Sequence, residues 1–165
     1  MDDLERHFDE HAQALYRYLV RLTGDADLAA DGVQDTFVRL LERGPTRGVQ
    51  RAWLFTVATN SVLGELRPQS RRRRILDAGA LRAPLADQEP SPHDRVEALE
   101  RHDRTMHALL TLSEKERTAL LMREEGFSHR EIADALGTTT GSVGTFIARA
   151  LLKFVDALPP GSEEA

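Results

Sequence analysis

The chain has 165 residues, enough for one or two small domains, and its 41% hydrophobic content suffices for packed cores. It has no cysteine, which removes disulfides, thiolate zinc sites and thiol nucleophiles together. It has no long apolar run, its acidic start MDDLERHFDE does not read as a signal peptide, and its net charge is −5, so an acidic, cytoplasmic protein with no membrane insertion is expected.

In chain order, Leu4, Phe8, Ala12, Leu15, Leu19 and Leu22 recur at helical spacing and predict a helix ending near Thr23-Gly24. His7 and His11 lie one turn apart on it, a spacing that can bind zinc. No third ligand follows from the pattern, so solvated surface histidines and no metal are expected. Asp25 to Glu42 predicts a second helix, with Leu28, Val33, Phe37, Leu40 and Leu41 inward and Asp31, Gln34, Asp35 and Arg39 outside. Arg43-Gly44-Pro45 breaks it. Arg51 to Arg67 then forms a helix carrying Trp53, Leu54, Val57, Ala58, Val62 and Leu66, with Arg51 and Asn60 as polar groups near its ends.

The basic charge is concentrated here. Residues 46–82 hold 8 Arg against 2 acidic residues, so a local patch coexists with the acidic total, and beyond a Debye length the patch governs attraction to phosphate. Residues 77–95 contain three prolines and no helical stripe, which predicts an extended, mobile linker. A helical pattern resumes from Val96 to Leu110 through Val96, Leu99, Met106, Leu109 and Leu110. Ser113, with Glu116 three residues on, caps a further helix.

Ser128 and Glu131 form the same S-x-x-E capping box, opening a short helix through Leu136 that Gly137 ends. Thr139 or Thr140 caps a last helix whose apolar stripe is Val143, Ile147, Ala150, Leu151, Phe154 and Leu158. Its opposite face is Ser142, Thr145, Phe146, Arg149 and Lys153, the face that a helix-turn-helix lays in the major groove. An ordinary helical hairpin carries the same local signals. The tail 159–165 is expected to be disordered. The expected fold is all-α: two small helical domains, residues 1–76 and 96–158, joined by a flexible linker over 77–95, the second domain a helix-turn-helix.

The phrases LYRYLVRLTGDADLAADGVQDTFVRLLE and RAWLFTVATNSVLGELR resemble the minus-ten domain of extracytoplasmic-function sigma factors, and LTLSEKERTALLMREEGFSHREIADALGTTTGSVGTFIARALLK resembles their minus-thirty-five domain. Two blocks in the right order form a specific signal. The resemblance implies that Asp31, Gln34 and Asp35, with Arg39 beside them, dock on the coiled-coil clamp of the largest polymerase subunit. It implies that Asn60 reads the melted minus-ten strand, with Trp53 in the matching tryptophan position. Arg51, Arg67, Arg71, Arg72, Arg73 and Arg74 are suited to backbone phosphate, since melted bases are read on their edges while arginines neutralise the strand. The upstream element would be read by Ser142, Thr145, Phe146, Arg149 and Lys153, although Gly144 and Phe146 stand where the family commonly carries basic residues.

The function implied is a transcription initiation factor with no catalysis and no cofactor of its own, whose partners are core RNA polymerase, promoter DNA and an anti-sigma factor. Two other readings remain. A stand-alone helix-turn-helix regulator would not bind core polymerase, and a sigma-like decoy or scaffold would bind a protein partner but not the upstream DNA.

Overall fold

The computed structural model describes residues 3–44, 48–65 and 91–158. Among them are seven helices: α1 (Asp3–Thr23), α2 (Ala26–Arg43), α3 (Arg51–Glu65), α4 (Pro92–Leu110), α5 (Glu114–Glu124), α6 (His129–Leu136) and α7 (Thr140–Ala157).

Short polar signals set the helix ends. Gly24, at φ 70, turns the chain out of α1, and the Asp25 carboxylate caps α2 by accepting from the Leu28 amide at 2.9 Å. Gly32 lets α2 approach its neighbours: a Cβ there would lie 2.6 Å from Val62 Cγ1 and 2.9 Å from Leu19 Cδ1. α3 closes the N-terminal half with Leu54, Phe55, Ala58 and Val62 buried. In the C-terminal half both predicted capping boxes form, Ser113 with Glu116 and Ser128 with Glu131. Gly137 adopts the left-handed conformation at φ 64, and Thr139 caps α7.

The two halves do not stand apart. α1 packs on α4 and α5, α3 touches α6, and the buried apolar residues of both halves form one continuous cluster. The guanidinium of buried Arg117 fastens this seam. It donates to the carbonyls of Leu22 in α1, Leu109 in α4 and Leu112 just past α4, each at 2.8 Å, and so ties the C-terminal ends of α1 and α4 together with one side chain. Hydrophobic periodicity names an apolar face but not the element that will cover it, which is why the pattern gave no sign of this junction.

Several expectations change. α4 begins at Pro92, inside the segment expected to be linker, because Ser91 caps it and proline is well suited to a first helical turn. Leu41 (62% exposed), Leu151 and Val96 were placed inward by periodicity and are exposed, while Phe55 and Thr59, not singled out by the pattern, are buried. His7 is buried and His11 half-buried, so the pair is not a solvated surface feature. Leu66, Arg67, Arg71, Arg72, Arg73, Arg74 and the 159–165 tail lie outside the described residues.

Candidate nucleic-acid interface

The outer face of α2 carries exposed Asp31, Gln34 and Arg39 and half-buried Asp35. Asp35 is already engaged: one carboxylate oxygen accepts from Arg39 Nε at 2.9 Å and from Ser61 Oγ at 2.6 Å, which ties α2 to α3. Gln34 instead borders an apolar groove between α1 and α2, lined by Leu4, Phe8, Ala12, Tyr16, Phe37, Val38 and Leu41. Phe8, Val38 and Leu41 are large apolar side chains left exposed along it.

On α3, Asn60 is exposed. Its neighbour Thr59 points the other way. Thr59 Oγ1 donates to the Phe55 carbonyl at 2.6 Å, so its single proton is spent, and the Tyr18 hydroxyl 2.7 Å away must donate to it. Burial pushes the Tyr18 phenol well above its usual range. The pairing fixes the rotation of α3 on α1 and with it the outward direction of Asn60. Trp53 is half-buried with the Arg43 guanidinium 4.9 Å over its ring.

Arg51 belongs to the seam in this arrangement. It donates to the Glu125 carboxylate at 2.8 Å and to the Glu125 carbonyl at 2.9 Å, and its guanidinium lies 4.6 Å from the ring centres of both Phe55 and Phe127.

α6 and α7, joined by the Gly137 turn, form the helix-turn-helix. α7 buries Val143 and Ala150 and leaves Thr145 and Arg149 exposed; Arg149 makes no ion pair or hydrogen bond among the described residues. Ser142 is held at the cap by Thr139, and Phe146 is partly buried against the core. Lys153 is bound internally, its ammonium donating to both Glu116 carboxylate oxygens at 2.8 and 2.9 Å. Burial opposes ionisation of Glu116, but the Lys153 bonds, the Ser113 amide and the Lys153 charge outweigh it and hold the carboxyl below its ordinary value.

Comparison with known proteins identifies what this arrangement belongs to. Residues 7–72 match the sigma-70 region 2 family and residues 102–154 match sigma-70 region 4. The ECF RNA polymerase sigma factor SigL of Mycobacterium tuberculosis is 38% identical over 142 residues, covering 82% of this chain and 77% of the relative. The chain belongs to the ECF RNA polymerase sigma factors. The RNA polymerase sigma factor YlaC of Bacillus subtilis is 28% identical and is covered over 96% of its length. The solved sigma factor RpoE from Bartonella quintana, in its co-crystal with the anti-sigma factor NepR, shares the fold at a TM-score of 0.69 and 22% identity, over 95% of this chain and 97% of that one.

This sigma factor is therefore a transcription initiation factor that binds RNA polymerase and gives it promoter specificity. The match to region 2 disfavours a stand-alone helix-turn-helix regulator, since such a protein has no use for α1–α3. No helix among the described residues is long and apolar enough to cross a membrane.

Proposed function

We propose that the sigma factor docks on the polymerase clamp through Gln34, Asp31 and the apolar groove beside them, holds the melted minus-ten strand with Asn60, and reads the upstream element with Arg149 and Thr145. Phosphate contacts come from Arg51 and from Arg67, Arg71, Arg72, Arg73 and Arg74. Catalysis belongs to the polymerase, the chain works in the cytoplasm where polymerase and DNA are, and it needs no cofactor.

The observation that carries this reading is the division of outward polar groups between two halves, Asn60 on one and Arg149 on the other. The division also sets a mechanical requirement. Two elements about 25 base pairs apart are separated by about 85 Å of duplex at about 34 Å per helical turn. A compact chain of this length is only about 40 Å across. The seam must therefore come apart on the promoter, which frees Arg51 from Glu125 for phosphate. Residues 66–90 have the contour length for the separation, at about 3.3–3.6 Å per residue.

The closed arrangement in turn suits an anti-sigma partner that binds it and blocks opening; the co-crystal of the similar RpoE with NepR supports looking for one. The test is reconstitution with core polymerase, transcript mapping, and a fluorescence pair with one dye on each half. Promoter-specific transcripts accompanied by a fall in energy transfer are expected. Specific transcription with unchanged transfer would remove the opening step, and no specific transcription would favour the decoy reading.

A further inference from the structure

Three groups with metal-ligand chemistry converge on α1. His7, Glu10 and His11 sit at i, i+3 and i+4, and one ligand atom from each lies within 4.8 Å of the others. The two imidazole rings are stacked with centroids 5.9 Å apart, and His11 Nε2 is 3.7 Å from the Glu10 carboxylate. We propose that His7, Glu10 and His11 form a site for a divalent transition ion of the zinc class.

Zinc bonds to imidazole nitrogen and carboxylate oxygen at about 2.0–2.2 Å, which in a tetrahedron places ligand atoms about 3.4 Å apart. The remaining closure is within reach of side-chain rotation on a helix whose backbone already fixes the spacing. Two imidazoles and one carboxylate suit a borderline ion better than calcium or magnesium, which take oxygen ligands. The mouth of the site is Glu10, whose side chain is 56% exposed, and water reaches the fourth position from there.

The test is titration of the full chain with zinc by calorimetry in a non-chelating buffer, with imidazole resonances followed in parallel. One equivalent should bind and shift two histidines. His11→Ala should weaken binding about tenfold or more and Glu10→Gln by less, because a neutral amide ligates more weakly than a carboxylate. Glu10 and His11 are not fully buried, so both variants should keep wild-type circular dichroism. Absence of saturable binding would overturn the proposal. So would equal affinity in wild type and His11→Ala, which would place the ion elsewhere, for instance at His93, His102 or His107 of α4.

Discussion

Arg51 and Glu125, 74 residues apart in sequence, form an ion pair at 2.8 Å that joins the region 2 half of this sigma factor to its region 4 half. The guanidinium packs over the adjoining rings of Phe55 and Phe127, so apolar surface shields the pair on one side while its edges remain wet. A charged hydrogen bond of this kind contributes about 1.5–3 kcal/mol. Glu125→Arg should therefore loosen the seam, lowering the unfolding midpoint by several degrees at about 2–4 °C per kcal/mol and raising the radius of gyration in solution scattering. The exchange Arg51→Glu with Glu125→Arg should recover part of the loss. A scattering profile identical to wild type in Glu125→Arg would show that the pair does not hold the halves together.

Arg117 should matter more than any surface charge. Replacing it with leucine keeps bulk but removes the side-chain donor from the carbonyls of Leu22, Leu109 and Leu112, of which Leu109 retains the Leu112 amide. We expect a loss of about 3–5 kcal/mol in urea unfolding. Lysine should restore little, since one ammonium cannot meet three carbonyls in the fork that a guanidinium spans. A loss below about 1 kcal/mol would mean that water replaces the donor at little cost.

Local chemistry was legible in the sequence where one short stretch contains both partners. Ser113 with Glu116, Ser128 with Glu131, and Gly137 each state their own structure within four residues. Long-range pairs were not legible. Arg117 stands in the run ERTALLM like any surface residue of an amphipathic helix, and nothing nearby points to Leu22. Lys153 matched a groove-facing position by periodicity, yet its partner Glu116 is 37 residues away. Leu41 and Leu151 are apolar at helical spacing but lie past the edge of what the neighbouring helices cover.

Gly32 and Gly144 should respond oppositely to alanine. At Gly32 the new methyl meets Val62 and Leu19 inside normal contact distance, so Gly32→Ala should cost about 1–3 kcal/mol through overpacking. A Cβ on Gly144 has nothing within 4 Å, and alanine there should stabilise α7 by up to about 1 kcal/mol. Thermal denaturation of the two variants checks the contrast, and destabilisation by Gly144→Ala would contradict it.

Gln34 and Asp35, adjacent on α2, should separate docking from folding. Gln34→Arg changes an exposed group beside the groove and should abolish co-purification with core polymerase while leaving stability within about 0.5 kcal/mol. Asp35→Lys breaks the links to Arg39 and Ser61, so it should lower both binding and stability. Polymerase binding by Gln34→Arg at wild-type affinity would move the docking surface away from this face.

Arg149 and Lys153, one turn apart on α7, should divide recognition from stability. Arg149 is exposed and uncommitted among the described residues, so Arg149→Ala should leave stability within about 0.5 kcal/mol but cost about 1–3 kcal/mol of discrimination at an upstream base. Lys153 bridges to Glu116, which is buried and also closes the α5 capping box, so Lys153→Ala should destabilise the region 4 half. The pH dependence identifies the cause. Folded Glu116 gives up its proton more readily than unfolded Glu116, so its contribution is complete above the ordinary value of 4.5 and is lost as pH falls through the lowered folded value. Wild type should lose stability across that acidic window, and Lys153→Ala should start lower and lose less. Promoter titrations at two salt concentrations complete the separation: a base contact changes preference between sequences, whereas a phosphate contact changes the salt slope by about one. If Lys153→Ala alters sequence preference while Arg149→Ala does not, the lysine leaves Glu116 on DNA and the two roles are exchanged.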